Sequence, residues 1–191
     1  MPRTRQRLSG EICILAGGLS ERMGCDKARL RLGKRTLLGL VLATARATGW
    51  PVRVIRRDRV PRCGPLGGVF TALATTRSDR VLFLACDMPF ISVELLGLLI
   101  EKSLGANDGL FAHSDGQIGF PFILSRGVLP RVTSQLERKE FSLHALARIL
   151  KAELLVVPQH FASQLRNLNT PDDLRLFCAK IAPRACAPRK D

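Results

Sequence analysis

Apolar residues recur along this chain in two rhythms, one suited to buried strands and one to helices. The uninterrupted run at 12–15, Ile-Cys-Ile-Leu, predicts a strand buried on both faces. After Lys34-Arg35, Thr36 offers a hydroxyl N-cap, and Leu37, Leu38, Val41, Leu42 and Ala45 follow at helical spacing until Gly49. A short strand is expected at 52–55. Gly64-Pro65-Leu66-Gly67-Gly68 opens a second helix, with Val69, Leu73 and Ala74 on its apolar side. The run at 81–85, Val-Leu-Phe-Leu-Ala, predicts a central parallel strand, and Ser92 caps a helix through Leu104. Beyond it, 110–113 and 118–124 flank Asp115-Gly116 and predict a tight hairpin. Stretches 127–137 and 142–150 read as helices and 154–157 as a strand. Thr170-Pro171 is the capped start of a last helix.

The order strand, helix, strand, helix, strand predicts an α/β fold. Its central sheet is mostly parallel, with right-handed crossovers and helices on both faces. Ligands of such sheets sit at the carboxyl ends of the strands, where residues 16–18 and 86–90 fall. The chain has 191 residues, enough for one good core, and a single domain is expected. Its ends, 1–10 and 181–191, are basic and are expected to be mobile.

Composition narrows the partners. Hydrophobic residues make up 46% of the chain, which excludes a disordered polymer. No stretch approaches the roughly 20 apolar residues that span a bilayer, and the Arg-rich start lacks the apolar segment of a secretory signal. A cytoplasmic protein is expected. Six cysteines, at 13, 25, 63, 86, 178 and 186, form no Cys-x-x-Cys pair, so zinc and dithiol chemistry lack support. Cys13 and Cys86 sit in or beside apolar strands and read as small buried hydrophobes. The net charge of +14 favours acidic ligands such as nucleotides or phosphorylated acceptors, although an Arg-rich solvated surface would give the same count. Nucleic acid is disfavoured, because aromatic residues are only 5% and tyrosine is absent.

The stretch with most chemistry runs from Leu15-Ala16-Gly17-Gly18 through Arg22-Met23-Gly24 to Asp26-Lys27. Glycines let backbone N–H groups approach a ligand that a Cβ would hold off, and successive N–H groups form a concave anion site. Arg22 and Lys27 add positive charge to the same loop. The glycine spacing fits neither the dinucleotide-binding fingerprint nor a Walker loop. This stretch resembles the signature loop of the nucleotidyltransferases, most closely that of the molybdenum cofactor guanylyltransferases and their relatives. The resemblance implies the Rossmann-like three-layer fold of that group. It also implies a nucleotide-binding half at about 11–104 and an acceptor-binding half at about 105–180.

Read with that resemblance, the site falls into parts. Leu15, Ala16, Gly17 and Gly18 would cradle the nucleotide, and Lys27 and Arg22 would neutralise its phosphates. Asp26 would orient the loop. Asp87 ends the run at 81–85 and occupies the position of the family's Cys-Asp-x-Pro magnesium aspartate; as an alternative it would cap the following helix. Gly67 lies in a Gly-Pro-Leu-Gly-Gly stretch that the family places beneath the nucleotide, although packing of helix on strand would also ask for glycine there. Asn167 and Asn169, with Thr170 and Pro171, resemble the family's Asn-x-Asn-Thr-Pro motif on the acceptor side. The implied reaction is Mg2+-dependent transfer of GMP from GTP to the terminal phosphate of molybdopterin, with pyrophosphate leaving. The product would pass to molybdoenzymes or their chaperones.

The chain departs from the family pattern in two places. Phe120-Pro121-Phe122 stands where the family has a His-Pro segment. The family also has a strand, a helix and a further strand between the first helix and the Gly-Pro-Leu stretch. Their asparagine and aspartate serve nucleotide recognition. Here only 52–63 fills that space, with Arg57 at the expected aspartate, Asp58 beside it and no counterpart of the asparagine. Asp58 is the candidate to read the base. Three alternatives stay open: CMP transfer or another phosphorylated acceptor, a non-catalytic domain that carries a nucleotide or pterin, and a basic nucleic-acid binder.

Overall fold

The computed structural model describes residues 8–17, 30–114, 116–168 and 173. In chain order, β1 (Gly10–Leu15) leads to the small antiparallel pair β2 (Arg31–Leu32) and β3 (Arg35–Thr36). Then follow α1 (Leu37–Ala47), β4 (Val52–Ile55), α2 (Pro65–Thr75), β5 (Arg80–Ala85) and α3 (Val93–Ser103). The second half holds β6 (Gly109–Ser114), β7 (Gln117–Ser125), α4 (Leu129–Glu137), α5 (Leu143–Leu150) and β8 (Glu153–Val156).

Six strands form one sheet in the order β4-β1-β5-β7-β6-β8. β4, β1 and β5 run parallel, with Leu15 level with Ile55 and Ala85. β7 runs antiparallel to both β5 and β6, and β8 is again parallel to β6. The expected hairpin therefore inserts its second strand beside β5. Ile12, Ile14, Leu82 and Leu84 pack with residues of α1 and α3 on one face, while Cys13, Leu15, Val81 and Phe83 pack with α2, α4 and α5 on the other. Alternate residues of each strand thus feed two separate cores, which is why the strands read as unbroken apolar runs. On the second face Phe122 stacks between Phe83 and Phe111, with ring centroids 4.9 and 4.6 Å away.

The helix starts follow their caps. Thr36 Oγ1 accepts from the Gly39 amide at 3.0 Å, Ser92 Oγ from Leu95 at 3.3 Å and Ser142 Oγ from Ala145 at 3.4 Å. Arg53 ties the short strand β4 to its neighbours. Its guanidinium meets the Glu11 carboxylate at 2.7 Å and donates to the Ala72 carbonyl at 3.1 Å.

Some expectations need correction. Ser9 and Gly10 do not belong to the mobile arm expected at 1–10: the Ser9 amide and hydroxyl donate to Asp79 Oδ2 at 2.9 and 2.8 Å, and Gly10 begins β1. The helix expected at 127–137 begins as a single 3-10 turn, Arg126–Val128, because Ser125 Oγ holds the Gly127 amide at 3.2 Å. Residues 1–7, the helix expected from Thr170-Pro171 apart from Asp173, and the tail at 181–191 lie outside the described residues.

Candidate active site

The carboxyl ends of β4, β1 and β5 are stitched together at one level. The Ala16 amide donates to the Ile55 carbonyl at 2.8 Å, and the Cys86 amide to the Leu15 carbonyl at 3.2 Å. The Leu15-Ala16-Gly17 segment therefore leaves the sheet pinned on both sides. Leu15 itself is buried and lies against Gly68, where a Cβ would come within 3.0 Å of Leu15 Cδ2. Gly17 is exposed and abuts the β4 end: a Cβ there would lie 3.0 Å from the Arg56 carbonyl oxygen and 3.5 Å from Asp58 Oδ1. Gly18, Arg22, Asp26 and Lys27 lie outside the described residues.

Asp58 is half-buried in the angle between this loop and α2. Its carboxylate sits 3.1 Å from the place a Cβ would take on Gly67 and 3.3 Å from that on Gly68. Burial pushes its pKa up from the ordinary carboxylate range. The Gly67 position is tight in a second way, since a Cβ would fall 2.6 Å from the Val60 carbonyl oxygen. The Gly67 residue is itself buried and its amide donates to the Gly64 carbonyl at 3.3 Å. The structure thus gives Gly67 a packing reason to lack a side chain. Gly64, just before α2, has φ of 55°, a left-handed value that favours glycine.

Residues 56–63 wrap from β4 to α2 in a pinned loop. The Arg59 amide donates to Thr71 Oγ1 at 2.9 Å, and the buried Cys63 thiol to the Pro61 carbonyl at 3.4 Å. Arg56, Arg57, Arg59 and Arg62 are exposed, and among the described residues their guanidinium groups make no hydrogen bond or ion pair. The loop alone joins β4 to α2. β4 is the edge of the sheet, and among the described residues no strand lies beyond it.

Asp87 stands in the turn after β5 and is 8% exposed, with Oδ1 out of contact with solvent. Ser92 caps α3, so the alternative of Asp87 as that helix cap does not hold. The Asp87 carbonyl accepts from the Leu168 amide at 2.9 Å. That bond brings Asn167, which is exposed, beside the turn; Asn169 lies outside the described residues. No group of three or more His, Cys, Asp or Glu gathers among the described residues. A single buried carboxylate still fits magnesium, which often takes one or two carboxylates and fills its shell with phosphate oxygens and water.

Next to Asn167 a cavity of about 310 Å3 opens between the β6–β7 hairpin and residues 162–167. Ile118, Phe120 and Leu165 give it apolar walls, and Gln117, Arg166 and Asn167 give it a polar rim. Phe120 and Asn167, singled out separately in the sequence, thus line one space. Gln117 and Arg166 carried no motif; adjacency to the Asp-Gly turn and to Asn167 was the available signal. Two larger cavities, about 420 and 430 Å3, lie at the amino ends of β6 and β5, away from this edge. Beneath the site, burial and then Glu11 push the Cys13 thiol up to about 12, so it stays protonated and inert.

Residues 12–156 match the family described as the MobA-like NTP transferase domain. The chain is 32% identical over 182 residues to the "Probable molybdenum cofactor guanylyltransferase" of Opitutus terrae, covering 84% of this chain and 90% of that one. It is 31% identical over 187 residues to the "Molybdenum cofactor guanylyltransferase" of Syntrophotalea carbinolica, with 88% and 84% covered. Among solved structures it superposes on molybdopterin-guanine dinucleotide biosynthesis protein A from Archaeoglobus fulgidus with a TM-score of 0.69 at 20% identity, covering 90% of this chain and all of the other.

Proposed function

Because this chain belongs to the MobA-like NTP transferase domain family and is therefore a nucleotidyltransferase, we propose that it transfers GMP from GTP to the terminal phosphate of molybdopterin, releasing pyrophosphate. The observation that carries the reading is convergence. The Leu15-Ala16-Gly17 loop, Asp58, Asp87 and Asn167 come from four distant stretches of sequence, and they meet at the carboxyl ends of β4, β1 and β5. The relatives' names supply the choice of nucleotide and acceptor.

In this reading an oxygen of the acceptor phosphate attacks the α-phosphorus, and the bond from that phosphorus to the β-phosphate oxygen breaks. A phosphate monoester with second pKa of about 6 is mostly dianionic at pH 7, so the acceptor needs no strong general base. What the protein contributes is position and charge. Ala16 and Gly17 bring backbone close to the nucleotide, and Gly17 does so without a Cβ. Lys27 and Arg22 hold the phosphates. Asp87 would hold Mg2+, whose chemistry is neutralisation of phosphate charge. Gln117, Asn167 and Arg166 offer amide and guanidinium groups to the polar edge and the phosphate of the acceptor, and Phe120 offers an aromatic face to its flat ring system. Among the described residues no helix is long and apolar enough to cross a membrane. We place the reaction in the cytoplasm, with molybdoenzymes or their chaperones receiving the product.

The test is a panel of GTP, CTP, ATP and UTP with molybdopterin as acceptor, scored by pyrophosphate release. GTP alone should support release. Faster use of CTP would favour the rival cytidylyl transfer, and nucleotide binding without release would favour a carrier domain.

A further inference from the structure

We propose that the base is selected by Arg57 and Asp58 acting as neighbours, with the arginine reading the O6 and N7 acceptors of guanine. The inference deepens the guanylyl reading and rests on it. It starts from the shape of the sheet edge. With β4 outermost, the wall of the site beside Gly17 is the loop at 56–63. The Arg59 amide ties that loop to Thr71 of α2, and the buried Cys63 thiol closes on the Pro61 carbonyl within it. Two of its residues border the Gly17 position: a Cβ there would lie 3.0 Å from the Arg56 carbonyl oxygen and 3.5 Å from Asp58 Oδ1. Arg57 is the residue between them, and it is exposed.

Guanine presents two donors, N1–H and the exocyclic amine, followed along the same rim by two acceptors, O6 and N7. A carboxylate can accept from the first pair and cannot serve the second. A guanidinium has donors only, and its fork fits O6 and N7 as a bidentate pair. Asp58 and Arg57 therefore complement the two halves of the guanine rim. Adenine carries an amine in place of O6 and would set donor against donor, leaving both unpaired. Arg56 gives its carbonyl to the Gly17 contact, Arg59 has its amide tied to α2, and Arg62 lies further along toward Gly64. Of the four arginines, Arg57 alone is flanked on both sides by residues whose atoms lie against the Gly17 position, and that placement singles it out.

Two analogues separate the two contacts. 7-deaza-GTP lacks N7 and tests the arginine; ITP lacks the exocyclic amine and tests the aspartate. Equilibrium binding of each to the full chain, with magnesium and without acceptor, gives the readout. The parent protein should bind 7-deaza-GTP roughly tenfold more weakly than GTP, the scale of one charged hydrogen bond. Arg57→Ala should bring that ratio close to one while leaving the GTP to ITP ratio intact. Arg57→Lys, which keeps the charge and loses the fork, should also lose most of it. Arg56→Ala and Arg59→Ala should keep the parent ratio. Equal binding of GTP and 7-deaza-GTP by the parent overturns the inference alone, as does a ratio that vanishes with Arg59→Ala instead. A parent that binds CTP or ATP more tightly than GTP, or no nucleotide at all, overturns the guanylyl reading and this inference with it.

Discussion

Replacing Gly67 by alanine tests whether the loop at 56–63 is packed on α2 as described. In a helix, Gly→Ala ordinarily adds up to about 1 kcal/mol of stability. At Gly67 the new Cβ would stand 2.6 Å from the Val60 carbonyl oxygen and 3.1 Å from Asp58 Oδ2. The first contact is with backbone, which cannot swing aside, so the loop must move. Overpacking of this kind costs about 1–3 kcal/mol, more than the helix gains. A matched control exists in Gly97, an exposed position inside α3 with nothing within 4 Å of its would-be Cβ. Gly97→Ala should therefore stabilise by about 0.5–1 kcal/mol and Gly67→Ala should destabilise by about 1–2 kcal/mol. For a chain of this length each kcal/mol shifts Tm by about 2–4 °C, so thermal and urea unfolding resolve the two. The same displacement carries Asp58 away from Gly17, so Gly67→Ala should raise KM for GTP several-fold, and Gly97→Ala should leave it alone. Equal stabilisation by both substitutions would refute the packing of loop on helix, and with it the placement of Asp58.

Asp87→Asn should lower turnover by about two orders of magnitude or more with little change in Tm; near-normal turnover at saturating magnesium would remove Asp87 from the reaction. Lys27→Ala should weaken triphosphate binding, measured by calorimetry, in a protein that stays folded by circular dichroism, and undiminished binding would contradict the phosphate role. Burial raises the pKa of Asp58 in the folded chain, so the folded state holds that proton more tightly than the unfolded one. Its contribution favours folding at low pH and is lost as pH rises from the ordinary carboxylate range through the raised folded value. Asp58→Asn should therefore flatten that part of the stability profile and leave the protein at least as stable at pH 7; a steeper fall with rising pH than in the parent would contradict the burial.

The parts of this fold that could be read in advance are those where local chemistry decides. Ile12 to Leu15 and Val81 to Ala85 pack on both faces of the sheet, so their composition alone marks them as strands. Thr36 and Ser92 announce helix starts because a hydroxyl there satisfies an otherwise orphan amide. The pair β2 and β3 has two residues per strand, too few for an alternating pattern to register. The insertion of β7 between β5 and β6 depends on long-range pairing, as does the arrival of Leu168 at Asp87. The candidate site was legible where a loop motif places its residues at strand ends, at Leu15-Ala16-Gly17 and Asp87. It was less so where burial decides the role, as at Gly67, whose neighbours Val60 and Asp58 meet it only in the folded chain.

The bond from the Leu168 amide to the Asp87 carbonyl gives this molecule an internal reporter. An amide held this way exchanges with solvent deuterium only when the segment lifts from the turn, so its exchange rate measures how often the two separate. One atom pair thus records, on a timescale from seconds to hours, whether the chain after β8 stays seated on the carboxylate turn. Ligands that engage both segments must slow that exchange, and ligands that engage only the glycine loop should leave it unchanged. Comparing Leu168 protection with nucleotide alone and with nucleotide plus acceptor would order the two binding events without following any chemical turnover.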